Sequence, residues 1–206
     1  MWRREQHRER FFRKARAEGY RARSAYKLIE LADRFHLLRA GMVVLDLGAA
    51  PGSWSQVAAA RVGSNGRVVA VDLQPIAPIP GVRVITGDVR APATVAEILA
   101  ALGQPADLVL SDMAPAATGI LVVDQARAIE LARAALAVAE RALRPGGALV
   151  VKVFRGEELD RFLGAVRARF ARVSVAVPAA TRPESREAYI VARDFQGPPP
   201  EPAADA

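Results

Sequence analysis

The stretch Met42-Val43-Val44-Leu45-Asp46-Leu47-Gly48-Ala49-Ala50-Pro51-Gly52-Ser53-Trp54 decides the fold. Its first six residues form a short apolar run of the kind that fills a buried strand. A glycine-bearing turn follows, and Ser53 to Arg61 reads as a helix. After that the chain alternates. Strands are predicted at Arg67 to Leu73, Val82 to Ile85, Asp107 to Ser111, Ala148 to Phe154, Val173 to Val177 and Ala188 to Ala192. Helices are predicted at Thr94 to Leu102, Asp124 to Leu143 and Glu157 to Phe170, with Arg144-Pro145-Gly146-Gly147 closing the long one. Strands alternating with helices imply right-handed crossovers and a mainly parallel sheet covered on both faces. The last two strands are joined by a loop, Pro178 to Arg186, too short for a helix, so one of them is expected to run antiparallel. The expected class is therefore α/β and Rossmann-like, with seven strands.

Upstream of that stretch, residues 3–18 read as a basic helix with Phe11 and Phe12 as apolar anchors, ended by Gly19. Ser24 reads as the N-cap of a second helix carrying Leu28, Leu31, Ala32 and Phe35 at helical spacing. The chain has 206 residues and a formal net charge of +7. Residues 1–39 hold 12 Lys or Arg against 5 Asp or Glu, whereas residues 40–206 are balanced. The excess thus sits at the N-terminus, where it suits a polyanion such as nucleic acid as well as it suits a solvated helix face. We divide the chain into a basic N-terminal segment, 1–39, serving as an RNA-binding extension of the same domain, a core over 40–196, and a Pro-rich tail over 197–206 expected to be disordered.

Composition excludes several functions. There is no cysteine, so no disulfide scaffold, cysteine nucleophile or Cys-ligated metal centre is possible, and the two histidines make a histidine-rich metal site a poor expectation. No apolar run approaches the ~20 residues of a membrane span. The N-terminus lacks a secretory signal pattern, so a cytoplasmic protein is expected, with a monomer as the default.

Open α/β sheets bind ligands beyond the carboxyl ends of their strands. The loop from Gly48 to Gly52 lacks the G-x-G-x-x-G spacing and places Pro51, which has no N–H, where a phosphate would need donors. It is a poor phosphate cradle. The first four strands each end near an acid: Asp46, Asp72, Asp88 and Asp112. Such a rim suits a ligand with a cationic centre, a ribose diol and an amine, which describes S-adenosylmethionine. Taken singly, an acid at a strand end is usually a turn residue or a helix cap; four in series favour the cofactor.

Only three lysines occur, Lys14, Lys27 and Lys152, against 26 arginines. Arginine holds its proton too firmly to act as a base near neutrality, whereas a lysine can be tuned. A ribose hydroxyl needs such a base or a strong field to become a nucleophile.

Five blocks together resemble the FtsJ/RrmJ family of RNA ribose 2′-O-methyltransferases. They are Tyr20 to Leu28, Asp46 to Gln56, Ser111-Asp112-Met113-Ala114-Pro115, Val150 to Phe154, and Ser185 to Ala192. The resemblance spans about residues 2–193. It implies an S-adenosylmethionine-dependent methyltransferase fold. It also implies a catalytic tetrad at Lys27, Asp112, Lys152 and Glu187, cofactor contacts at Gly52, Trp54, Asp72, Asp88 and Asp112, and no metal. On physical grounds Lys152 is expected to take the 2′-hydroxyl proton, Lys27 to lower the pKa of Lys152 and orient the ribose, and Asp112 and Glu187 to hold the two amines. The implied substrate is a uridine in the A-loop of large-subunit ribosomal RNA. A methyltransferase of transfer RNA, of messenger RNA caps or of a small molecule, and a non-enzymatic assembly factor, are the alternatives. Ala116 departs from the asparagine often found there in relatives, which puts a substrate-side contact in question.

Overall fold

A computed structural model describes residues 11–156, 158–182 and 185–197. The expectations for Trp2 and the arginines before residue 11, and for the tail beyond residue 197, lie outside the described residues. The elements in chain order are α1 (residues 11–17), α2 (Ala25–Phe35), β1 (Val43–Leu47), α3 (Ser53–Val62), β2 (Arg67–Asp72), β3 (Val82–Thr86), α4 (Pro92–Leu102), β4 (Ala106–Ser111), α5 (Leu121–Ala142), β5 (Leu143–Phe154), α6 (Glu158–Arg167), β6 (Phe170–Ala176) and β7 (Glu187–Phe195).

The strands form one seven-stranded sheet in the order β3-β2-β1-β4-β5-β7-β6. The pairs from β3 to β5 are parallel, and β7 runs antiparallel to both β5 and β6. Side chains alternate between the two faces of a strand. In β1, Val43, Leu45 and Leu47 join one core with α4, α5 and α6, whereas Val44 joins the other with α2 and α3. All five residues of β1 are buried, which is why it reads as an unbroken apolar run. On the α2 face lie Asp46, Lys152 and Tyr189, each in step with Val44, Val150 or Val191 of that core. The polar groups of that face are thus gathered at one end of otherwise apolar strands.

Two expectations require correction. Arg144-Pro145-Gly146-Gly147 does not close the long helix as a free turn. Strand β5 already begins at Leu143, opposite Ala106, and resumes with Ala148 opposite Leu108 after a bulge. Arg144 donates to Asp107 Oδ1 at 2.7 Å, and the other oxygen of Asp107 accepts the Val43 amide at 2.7 Å, so the bulge is pinned to the start of β1. Ser24 stands before α2 but makes no side-chain cap. Its hydroxyl pairs with the Ser53 hydroxyl at 2.7 Å instead, joining α2 to α3.

The N-terminal segment is welded to this core. Phe11 and Tyr20 pack against the Tyr26 ring, with centroids 5.5 and 5.9 Å away, while Phe12, expected as a second anchor, is 60% exposed. Arg21 donates to the carbonyls of Pro51, Ala77 and Pro78 at 2.7–2.9 Å, and its amide donates to Gln56 Oε1 at 3.0 Å.

Candidate active site

A cleft of about 490 Å³ opens where β1 to β4 end. It lies over the junction of β1 and β4, where the winding of the sheet reverses, the place where open α/β sheets hold ligands. The cleft is walled by Gly48, Ala50 and Pro51, by Asp72 and the residues after it, by Gly87 to Arg90, by Asp112 to Ala114, and by Leu131 of α5. Gly48 has φ +71°, and a Cβ there would stand 2.4 Å from Met113 Cγ and 3.0 Å from its Cα. Only glycine allows the two loops to approach so closely.

Three acids reach the cleft. Asp72 Oδ2 accepts the Ala50 amide at 2.9 Å and Oδ1 accepts the Gln74 amide at 2.8 Å. Each oxygen keeps one lone pair, enough for the two hydroxyls of a ribose. Asp88 meets the guanidinium of Arg90 side-on, with Nη2 to Oδ2 at 2.7 Å and Nε to Oδ1 at 2.9 Å. That pairing lowers the Asp88 pKa from its ordinary value. Asp112 stands between the cleft and the lysines. Asp46 does not join this rim: it is fully buried beneath it, and the Ser55 hydroxyl donates to Oδ2 at 2.6 Å. Burial pushes its carboxyl up to about 7, the nearby Asp112 and Asp72 push the same way, and Ser55 opposes them.

Gly52 and Trp54 stand apart from the cleft walls. Gly52 is buried at φ +109°, and a Cβ there would meet Ile79 Cδ1 at 2.6 Å and Arg21 Nη1 at 2.9 Å. Trp54 is 2% exposed, stacks at 5.6 Å on Tyr189, and gives its indole N–H to the Ser24 carbonyl at 2.8 Å. Both side-chain positions face the core, which leaves the backbone of the loop as the part of these residues that can meet a ligand.

Lys27, Asp112, Lys152 and Glu187 come from α2, from the end of β4, from β5 and from the start of β7. Because β7 is antiparallel, its first residue lies at the same edge as the ends of β4 and β5. Lys27 Nζ donates to Glu187 Oε2 at 2.7 Å. Lys152 Nζ donates to the Asp112 carbonyl at 2.5 Å and lies 3.1 Å from Asp112 Oδ1. Both lysines are 8% exposed. Burial pushes the Glu187 carboxyl up, but its ion pair with Lys27 and the charges of Lys152 and Arg182 outweigh that, so its pKa is lowered on balance.

Tyr189 was missed by the sequence reading. It is fully buried, its hydroxyl donates to Asp112 Oδ1 at 2.7 Å, and Lys27 Nζ lies 5.7 Å from its ring centroid. Burial and the Asp112 carboxylate together raise its pKa well above the ordinary phenol value. Its spacing of two from Glu187 on a strand was the available signal, since both must then share a face.

The FtsJ-like methyltransferase model matches residues 20–195. The chain belongs to the FtsJ-like methyltransferase family. A ribosomal RNA large subunit methyltransferase E from Azoarcus sp. is 50% identical over 95% of this chain and 96% of its own length. One from Methanothrix thermoacetophila is 50% identical over 92% of this chain and 73% of its own. Among solved structures, a Plasmodium falciparum protein assigned as a ribosomal RNA methyltransferase superposes with a TM-score of 0.77 at 30% identity, over 86% of this chain and all of that one. The FtsJ-like match contains both lysine–carboxylate pairs and the whole cleft wall. It leaves the first 19 residues outside.

Proposed function

We propose that this FtsJ-like chain moves the methyl group of S-adenosylmethionine to a ribose 2′-hydroxyl of large-subunit ribosomal RNA, with a uridine of the A-loop as the target. One observation carries the reading: two buried lysines, each held by a carboxylate, lie at the same sheet edge as a cleft built from acidic strand ends. Asp112 belongs to both the wall and a lysine pair.

The cleft fits the cofactor chemically. About 490 Å³ is a normal size for a cofactor pocket. Asp72 has two free lone pairs for a diol, and Asp88 and Asp112 offer acceptors to an amine and a field for a cation. Val71, Val89, Met113 and Leu131 supply apolar wall. When bound, the cofactor supplies a methyl on a sulfonium, which is a good leaving group without further activation.

The chain's own residues supply orientation and proton transfer. A neutral lysine amine has two hydrogens and one lone pair. Lys152 donates to the Asp112 carbonyl and lies 3.1 Å from Asp112 Oδ1, so the backbone and the carboxylate both hold the amine in place while its lone pair receives the 2′-hydroxyl proton. Lys27, fixed by Glu187, offers its remaining donors to the ribose oxygens. Asp112 and Glu187 hold the amines and balance charge as the proton arrives. Fixing the hydroxyl in line with the methyl and its leaving group is worth several kcal/mol of barrier. The basic N-terminal segment contributes sequence-independent affinity through RNA phosphates.

Methyl transfer from labelled S-adenosylmethionine to unmodified large ribosomal subunits, followed by nucleoside mass spectrometry, tests this. A 2′-O-methylated nucleoside formed by wild type and lost in Lys152→Ala supports the reading. No ribose methylation of the subunit, with cofactor binding shown separately, would refute the substrate and turn the search to transfer RNA or caps. A Lys152→Ala protein that restores subunit assembly in cells would instead favour an assembly factor.

A further inference from the structure

The Asp88 carboxylate is almost fully committed. Oδ1 accepts both the Arg90 amide and Arg90 Nε, each at 2.9 Å. Oδ2 accepts Arg90 Nη2 at 2.7 Å and shares Nε at 3.1 Å. An ionised carboxylate has about four lone-pair positions. Three are taken by one residue, and the one that remains is on Oδ2. The bidentate guanidinium also fixes the plane of the carboxylate, since the fork has only one good geometry on two oxygens. Both residues line the cleft. Among the described residues no other arginine lines it, and every other acid in its wall is held by backbone amides, a tyrosine or a lysine.

We infer that Arg90 is a specificity-positioning residue for the cofactor: by filling three of the four acceptor positions of Asp88 it leaves a single, fixed acceptor that reads one N–H of the adenine exocyclic amine. This rests on the reading that the cleft holds S-adenosylmethionine. A free carboxylate at a cleft mouth would rotate and would accept from water or any donor. A forked one selects a base by what stands at a single point. An amine there gains a charge-assisted hydrogen bond. A carbonyl oxygen there meets a carboxylate oxygen and finds no donor, because the guanidinium hydrogens facing Asp88 are already engaged. Sites built around a polar group of the ligand reject analogues that lack it far more sharply than apolar pockets do. The Arg90 side chain is 60% exposed, so the fork is made at the rim and its removal leaves the core untouched.

Isothermal titration of S-adenosylhomocysteine and of its hypoxanthine counterpart, S-inosylhomocysteine, into wild type and R90Q tests the inference. Wild type is expected to prefer the adenine compound at least about tenfold, the size of one charge-assisted hydrogen bond. R90Q is expected to cut that preference to within about threefold, chiefly by weakening the adenine compound. R90K keeps the charge but loses the fork, and its preference is expected to stay below about a third of the wild-type value. Equal weakening of both compounds in R90Q would make Arg90 a merely structural residue and overturn the inference. So would an unchanged preference in R90Q, or its full rescue in R90K. If wild type binds neither compound, the cofactor reading itself fails and this inference falls with it. The wild-type arm alone separates that failure from the others.

Discussion

Lys152 and Tyr189 are paired directly across the β5–β7 ladder, and both reach the same oxygen of Asp112. Directly opposed residues in an antiparallel pair share a face with their Cβ atoms ~4.5–5.5 Å apart. The ladder register therefore fixes the lysine beside the phenol. Asp112 Oδ1 sits above both, accepting the hydroxyl at 2.7 Å and lying 3.1 Å from the lysine nitrogen. Tyr189 thus orients the carboxylate that orients the lysine, without itself touching the proposed substrate.

Replacing Tyr189 with Phe removes that orientation and little else, since the ring stays packed on Trp54. A hydrogen bond to a charged group is worth roughly 1.5–3 kcal/mol, so kcat is expected to fall about ten- to a hundredfold. The affinity for S-adenosylhomocysteine should change less than about threefold, because Asp72 and Asp88 are untouched. Steady-state kinetics on large subunits beside calorimetry separate the two. An equal loss in both readouts would mean that the hydroxyl shapes the cleft instead.

Lys27 and Glu187 form an ion pair at 2.7 Å from elements 160 residues apart in sequence. Removing one partner strands the other in a half-buried site, which costs more than the pair contributes when both are absent. The variants Lys27→Met, Glu187→Gln and their combination therefore form a double-mutant cycle. Each single change is expected to lower kcat by about a hundredfold or more, and the double to be little worse than either alone. Additive losses would show that the two side chains act independently on the ribose.

How much of this was legible before the structure depended on whether a residue's partner lay close in the chain. The buried strands β1, β2 and β4 were readable because both faces are covered, so their apolar runs are unbroken. Asp72 and Asp112 were readable because a strand end is a local event. The packing of the Trp54 ring was not legible, because its indole N–H goes to Ser24, thirty residues away, and its partner ring, Tyr189, lies on a distant strand. Ser24 was misread for a similar reason: its hydroxyl has a competing partner, Ser53, which outweighs the cap. Arg144 to Gly147 has turn chemistry in any local reading. Only the distant pairing of Ala106 with Leu143 makes it a bulge. Arg90 was legible in principle, since Asp88 and Arg90 are two apart in a tight turn.

Arg21 couples the N-terminal segment to the cofactor loop through three backbone carbonyls, and one of them belongs to Pro51 in the cleft wall. Replacing it with Ala orphans these acceptors at an exposed site where water can reach them, so the global stability loss should stay near 1 kcal/mol. The effect on the loop is larger. S-adenosylhomocysteine affinity is expected to fall about three- to tenfold, with Arg21→Lys recovering only part, since an ammonium cannot span three carbonyls in the plane of a guanidinium. Calorimetry with thermal unfolding checks both. Unchanged affinity would mean that the loop holds its shape without the strut.

The buried Asp46 gives the fold its own pH dependence. Its carboxyl is pushed up to about 7 in the folded state, chiefly by burial, against an ordinary value of 3.8. The sign follows from proton counting. Between those two values the folded state holds a proton on Asp46 that the unfolded state has released. Stability therefore falls as pH rises from about 4 to about 7, and levels off above that. The total is a few kcal/mol at most, because water and structural relaxation soften a buried carboxylate. Asp46→Asn keeps an acceptor for the Ser55 hydroxyl and removes the titration. The difference in urea-unfolding free energy between wild type and Asp46→Asn, measured at intervals from pH 4.5 to pH 8, is expected to shift steadily in favour of the variant as pH rises. Taking the difference cancels the opposite trend from Glu187, whose lowered pKa adds stability lost on acidification. A difference that stays flat across the range would mean that Asp46 is ionised throughout and that Ser55 and the surrounding amides offset its burial.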